Sequence, residues 1–362
     1  MSLPDMTGQS YSNRFPCRCT GMTLDKNSTF KLLQKMNMKY TIKEIAELTG
    51  VAKSTVSKAL NGQKGVSEEK RIEIMKLASE YNYIPNAAAR ALSHNKSETI
   101  GILISADYEY TLSTSYWIEI ISAVSCEAEK NGYNLLVITQ DKDEPLKSLE
   151  NAILKKSIDG LVVPAEYVRA DLIKLLNTSG IPFVIQGRTP LCNHYCVDVR
   201  NKEGAYLLTS RLIENGGKNI ACIAGPKEFL YNKERVEGFK SALKEQGIKN
   251  PPVVHSPYTE EETVKNISAF LKQNPKIDSV FITAGGDFLF FIFDTMRKFG
   301  FDLDKIGFAV FDDYKPIHYI IKPVVSARQP IKQMGAQNAR ILLQLINNEE
   351  PPNSSLFDIS IV

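Results

Sequence analysis

From Thr99 onward the chain alternates short apolar runs with stretches of helical periodicity, and it does so twice. Apolar runs at Ile100–Ile104, Asn134–Ile138, Gly160–Pro164 and Pro182–Ile185 predict strands, with helices beginning near Tyr116, Pro145 and Ala170 between them. A second series places strands at Ile220–Ala224, Val253–His255, Val280–Thr283 and Ile306–Phe311. Its helices fall at Asn232–Gln246, Thr259–Gln273 and Asp287–Phe299. Strands separated by helices pair in parallel, and the helices then cover both faces of the sheet. Two series of similar size therefore predict an α/β core of two doubly wound parallel-sheet subdomains. Late segments at Val324–Arg328, Ile331–Asn347 and Phe357–Val362 complete it. A chain of 362 residues can bury more than one core of this kind.

Thr41 to Leu92 follows different rules. Thr41 precedes an apolar run and Glu44 stands three residues later, the pattern of a capping box. Ile42, Ile45, Ala46 and Leu48 would form the buried side of that helix, and Gly50 can take the positive φ of a tight turn. A second short helix is predicted at Lys53–Leu60. Its apolar side holds Val56, Ala59 and Leu60, and its outer side holds Lys53, Ser54, Thr55, Ser57 and Lys58. Ser67 would cap a third helix whose Ile74, Leu77, Ala78 and Tyr81 recur at helical spacing. Pro85 stops what precedes it, and Asn86 can cap a short Ala-rich helix from Ala87 to Ser93. Two short helices about a glycine turn, the second presenting Lys, Ser and Thr, make a helix-turn-helix whose second helix can enter a major groove.

Charge agrees with this division. Residues 39–97 carry ten Lys and Arg against six Asp and Glu, whereas residues 98–362 carry 29 against 33. The basic excess sits where phosphate contact needs it. No apolar run is long enough to span a bilayer, and residues 1–38 hold no signal-peptide core. Those residues are polar and without sustained period. They read as an over-extended start, a disordered arm, or a real extension of other role. Cys192, His194 and Cys196 invite a metal reading, but a zinc site needs about four ligands and no second cluster is visible. They read instead as reduced thiols in or near a loop, and Cys126 and Cys222 as core thiols.

The segments TIKEIAELTGVAKSTVSKALNG and YNYIPNAAARAL, followed by Ser97-Glu98-Thr99-Ile100-Gly101-Ile102, resemble the head, the hinge and the core opening of the lactose-repressor/galactose-repressor (LacI/GalR) family of bacterial transcription factors. The resemblance runs from about Lys39 to Val362. It implies a helix-turn-helix domain at 39–84, a hinge helix and linker at 85–97, and a periplasmic-binding-protein-like effector and dimerisation domain at 98–362. It also implies three crossings between subdomains, placed near Val199–Lys202, Lys322–Ala327 and Asn347–Pro352. The first subdomain would then hold about 98–199 and 325–348, and the second about 200–323 and 350–362. The implied partners are palindromic operator DNA, a small-molecule effector and a second copy of the chain, acting in the bacterial cytoplasm.

Residue by residue, Lys53, Ser54 and Lys58 stand where the family reads base edges. Thr41, Thr55, Ser57 and Asn61 suit the DNA backbone. Leu92 stands where a hinge leucine wedges into the minor groove, with Asn86 capping and Ala89 allowing close approach. Two departures weaken the match locally: Ala52 replaces the usual capping Ser, at a cost of about 1 kcal/mol, and Lys58 replaces an Arg.

Ligands of open parallel sheets bind beyond the carboxyl ends of the strands. Tyr108, Tyr110, Trp117, Arg188, Lys233, Asp287 and Asp312 are the candidates there. The resemblance implies a sugar, a sugar phosphate or a nucleobase. It places Lys233 where an effector-contacting Arg is common, Arg235 at a position more often structural, and Asp312 where an Asp contacts sugar hydroxyls. Lys233 replacing Arg, and Gly286 replacing Asn, make a conventional hexose less secure. A regulator signalled by a partner phosphoprotein is the alternative class. Catalysis finds little support. Asp312 and Asp313 are adjacent and would point to opposite faces, and no nucleophile elbow, phosphate loop or metal-ligand pair is present. No cofactor or metal is expected.

Overall fold

The computed structural model describes residues 40–60, 62–81, 83, 96–104, 115–141, 143–321 and 324–362. The chain divides into two compact units, Met1–Ala89 and Arg90–Val362.

In the first unit, helices α1 (Ile42–Thr49), α2 (Lys53–Leu60) and α3 (Glu68–Glu80) enclose a core of Ile45, Ala46, Val56, Ala59 and Ile74. The predicted capping box is present: the Thr41 N–H donates to the Glu44 carboxylate at 2.6 Å, and the Thr41 hydroxyl accepts from the Glu44 N–H. Gly50 ends α1 at φ +64°, a left-handed turn. Ser67 caps α3 as expected. Leu48 departs from expectation and is exposed. Thr49 is buried in its place, its hydroxyl returned to the Ile45 carbonyl at 2.7 Å. Arg71 ties α3 to the end of α2, donating to the carbonyls of Ala59 and Gln63.

The second unit holds two six-stranded sheets. The first contains β1 (Thr99–Ile104), β2 (Asn134–Thr139), β3 (Gly160–Pro164), β4 (Phe183–Gln186), β5 (Cys196–Val199) and, late in the chain, β11 (Ser354–Phe357). Their order is β11-β5-β4-β3-β1-β2, all parallel. Helices α4 (Ser115–Lys130), α5 (Lys147–Leu154) and α6 (Ala170–Ser179) connect the early strands. The second sheet contains β6 (Ile220–Ala224), β7 (Val253–His255), β8 (Ser279–Ile282), β9 (Gly307–Val310), β10 (Val324–Arg328) and β12 (Ser360–Ile361). Its order is β12-β10-β9-β8-β6-β7, parallel except for β12. Helices α7 (Asn201–Glu214), α8 (Leu230–Glu245), α9 (Glu260–Gln273), α10 (Asp287–Lys298) and the short turn α11 (Ile317–Ile320) accompany it, and α12 (Ile331–Ile346) returns to the first sheet.

Successive strand residues point to opposite faces, and each sheet is buried on both. Val162 faces one apolar cluster while Leu161 and Val163 face another. In the second sheet Phe281 faces the cluster it shares with Phe239, and Val280 and Ile282 face the α9–α10 side. A fully buried Phe such as Phe281 contributes about 1.5–3 kcal/mol of transfer free energy. Helices α7 and α8 approach closely because position 238 is glycine: a Cβ there would sit 2.1 Å from the Lys202 carbonyl oxygen.

Strand β5 and helix α7 are absent from the sequence reading, as are the short α11 and most of β11. Strand β5 has four residues, one of them Asp198, and α7 carries Gly204 in its first turn, so neither shows a clear period. The first crossing falls at Arg200, inside the expected window. The second lies at Gln329–Pro330, later than expected, because β10 still pairs with β9. The third lies at Asp358–Ile359, because β11 pairs with β5 before the chain leaves the first sheet. The first subdomain is therefore 98–199 and 331–357, and the second 200–328 and 360–362. No helix among the described residues is long and apolar enough to cross a membrane.

Candidate functional site

Helix α2 buries Val56 and Ala59 against the head core, which turns Lys53, Ser54 and Lys58 outward as exposed residues. Neither lysine forms an ion pair among the described residues, so both ammonium groups are available to an anionic partner. Thr55 and Ser57 lie half-buried beside them, and Thr41 is exposed at the start of α1. Helix α2 begins without a side-chain cap. The Ala52 carbonyl accepts from the N–H groups of Thr55 and Val56, and its methyl offers no oxygen to the first turn. Asn61, Asn86, Ala89 and Leu92 lie outside the described residues.

A cavity of about 920 Å³ opens between the two subdomains of the second unit, within the range of small-ligand sites. The first subdomain supplies Tyr116 and Trp117 at the start of α4, Glu166 just after β3, Gln186 at the end of β4 and Asp198 in β5. The second supplies Tyr231 and Arg235 from α8, Tyr258 after β7, Gly285 and Gly286 after β8, and Asp312 after β9. Gln329 and Pro330 line it from the crossing itself. All these strand-derived positions lie at or beyond carboxyl ends.

The polar side chains are held in place. Gln186 donates to the Tyr116 hydroxyl at 2.8 Å, and Asn338 donates to Gln186 from behind. Arg235 lies 3.6 Å over the Phe311 ring and donates to Asn201 Oδ1 at 2.8 Å and to the Thr283 carbonyl. Asn201 donates to both oxygens of Asp198, and Asp198 accepts from Arg188 Nε at 3.0 Å. Arg188 also pairs with Glu234, so a chain of polar contacts runs from the cavity wall to an ion pair joining the subdomains. Asp312 accepts from the Gly285 N–H at 3.1 Å and from Gln329.

Loss of water raises the acids of this wall. Glu166 is pushed up to about 7, chiefly by burial and then by the charge of Asp198, with Arg235 opposing. Burial also raises Asp198 and Asp312, against the pull of nearby guanidinium groups. The Tyr116 hydroxyl stands well above its ordinary value through burial and the surrounding carboxylates.

The sequence candidates divide in space. Trp117 and Asp312 line the cavity. Trp117 is also nearly buried, its ring edge-on to Tyr116. Arg188 does not line it but spans the subdomains beside it. Lys233 is exposed and faces a separate shallow recess with Glu237 and His255. Helical register explains the exchange. Tyr231 and Arg235, four residues apart, share the cavity face, and the residue midway between them points away. Arg235 therefore takes the position expected of Lys233. Asp287 opens α10 outside the lining, where Gly286, at φ +70°, lies against the cavity instead. Tyr108 and Tyr110 lie outside the described residues.

Sequence reasoning missed Glu166, Asp198, Tyr231 and Tyr258. The strand-end rule applied after Pro164 finds Glu166. Asp198 gave no such signal because β5 was not recognised. Among the cysteines, Cys126 is exposed rather than in the core, whereas Cys222 is buried and its thiol raised by that burial. Cys196 belongs to β5 and is buried, Cys192 is half-buried, and His194 stacks on Phe183 at 3.6 Å between ring centres.

Residues 97–359 match the family described as "Periplasmic binding proteins and sugar binding domain of LacI family", and residues 41–86 match "Bacterial regulatory proteins, lacI family". The HTH-type transcriptional repressor PurR of Pasteurella multocida is 30% identical over 85% of this chain and 92% of its own. A solved CelR–cellobiose complex superposes with a TM-score of 0.68 at 24% identity, covering 90% of this chain and 98% of that one. The lac repressor dimer bound to operator and the anti-inducer ONPF superposes at 0.72 with 20% identity and the same coverage.

Proposed function

The chain belongs to the LacI family of bacterial regulatory proteins, and from that premise we propose a homodimeric repressor of carbohydrate-metabolism genes, released from or held on its operator by a sugar in the cleft of its second unit. The carrying observation is the cavity between the two sheets, walled by both subdomains and set at their strand ends. Its polar and aromatic lining suits a polyol: hydroxyls meet Asp312, Glu166, Gln186 and Arg235, and ring faces meet Tyr116 and Trp117. Sugar binding is also named in the family description and in the CelR–cellobiose structure.

In this reading Lys53, Ser54 and Lys58 contact bases. Thr41, Thr55, Ser57 and Asn61 contact the backbone, and Leu92, with Asn86 and Ala89, serves the hinge. Tyr108 and Tyr110 join the effector set on sequence grounds, while Lys233 and Asp287 leave it. Binding changes the angle between subdomains, and the Arg188–Glu234 pair is one contact such a change must strain or reform. Coupling between effector and operator sites is typically about 1–3 kcal/mol. The protein acts in the bacterial cytoplasm, by binding rather than catalysis. A thermal-shift screen against sugars, sugar phosphates and nucleobases, followed by operator titration with each hit, tests this. A hit that stabilises the protein and alters operator affinity supports it. A nucleobase or phosphorylated hit in place of a free sugar refutes the sugar reading.

A further inference from the structure

The cavity wall is unevenly charged. Its six lining carboxylates face five cations, and three of those carboxylates, Glu166, Asp198 and Asp312, share one guanidinium, Arg235, as their neighbour. Arg188 stands behind Asp198 but also serves Glu234, so that group keeps a negative excess. Arg235 spends its N–H groups on neutral acceptors, Asn201 and the Thr283 carbonyl. Asp312 is met by neutral donors, Gly285 and Gln329. No side chain donates to the Glu166 carboxylate among the described residues. The other lining cations, Lys130, Lys315, Arg328 and Lys332, are exposed, and two of them are already paired, Lys130 with Glu127 and Arg328 with Asp313.

Around Arg235 and Arg188, four carboxylates, Glu166, Asp198, Asp312 and Glu234, outnumber two guanidinium groups. A phosphate seated beside that group would bring further negative charge against it. A neutral sugar would leave Glu166 without a counter-charge, and a half-buried carboxylate in that position resists ionisation, as its raised pKa reflects. An ammonium group supplies both the missing charge and three donors.

Resting on the sugar-effector reading, we propose that the effector is an amino sugar bound as its free ammonium, and that Glu166 is the residue that selects it. The amine faces Glu166, the hydroxyls face Asp312, Gln186 and Arg235, and an aromatic face of the Tyr116–Trp117 pair takes the ring.

Titration calorimetry of the full chain tests this with D-glucosamine, D-galactosamine and D-mannosamine, each beside its parent hexose, its N-acetyl form and its 6-phosphate. At least one free amine should bind ten-fold or more tighter than all three of its comparators, and E166Q should erase that difference. The wild-type comparison stands by itself should the variant fold poorly. A parent hexose that binds as tightly as its amine overturns the proposal and leaves the sugar reading intact. An amine preference that survives E166Q overturns the role of Glu166. Silence from every sugar in the set overturns the proposal, and the wider thermal-shift screen then decides the sugar reading it rests on.

Discussion

Glu166→Gln should make the ligand-free protein more stable above neutral pH and leave it almost unchanged in mild acid. In the fold this carboxyl is raised from 4.5 to about 7, chiefly by burial. A raised acid favours its protonated form in the native state. The stability it contributes is complete below its ordinary value and is lost as pH rises through about 7. At 1.36 kcal/mol per unit the full shift amounts to about 3 kcal/mol. Glu166 is only half-buried, and water entering the cavity reduces that to about 1–2 kcal/mol. The amide is neutral at every pH and has nearly the carboxyl's shape, so the variant escapes the loss. Urea denaturation followed by tryptophan fluorescence reads the right unit, because Trp117 is the only tryptophan and lies in the core of the first subdomain. Curves that coincide near pH 5 and separate by about 1–2 kcal/mol near pH 8 are expected. Parallel pH profiles for the two proteins would refute the argument.

Four further outcomes follow from other parts of the molecule. Lys53→Ala should relax base preference at one operator position in a randomised-site selection, and equal weakening on every sequence would reduce Lys53 to a phosphate contact. Leu92→Ala should lower operator affinity in a mobility-shift titration while effector affinity off DNA stays within two-fold. Asp312→Ala removes a charged acceptor worth about 1.5–3 kcal/mol, so calorimetry should show effector affinity about 10- to 150-fold weaker, with operator binding retained. Gly238→Ala sets a methyl against the Lys202 carbonyl, forcing α7 and α8 apart, and a lowered denaturation midpoint by about 1–3 kcal/mol checks it.

Local codes were the legible part of this chain. Thr41 with Glu44, Gly50, and Ser67 each specify a helix boundary through neighbours within three or four residues, and each boundary appears where those residues place it. Runs such as Gly160–Pro164 were legible because a strand buried on both faces needs apolar residues throughout. Cys196–Val199 hid because Asp198 interrupts it, and that same aspartate is tolerated only because Arg188 and Asn201 reach it in the fold. The choice between Lys233 and Arg235 depended on helix register, which two nearby basic residues do not reveal. The late crossings fall later than the sequence suggests because β10 is still held by β9, the strand before it, and β11 by β5, far back in the chain.

The order of the strands also sets the order in which the protein can mature during synthesis. The head is built entirely from local contacts and can fold as soon as Tyr83 clears the ribosome. Strands β1 to β5 follow, yet the helix that covers Val162, Val184 and Val197, and the strand that seals β5, arrive only with residues 331–357. Until then the first sheet presents an uncovered apolar face and an open edge, the features that invite misassociation. Gln329 and Pro330, part of the cavity wall, emerge at the same late stage. A chain interrupted before that point carries a finished DNA-reading head joined to a sensor that cannot close around its ligand.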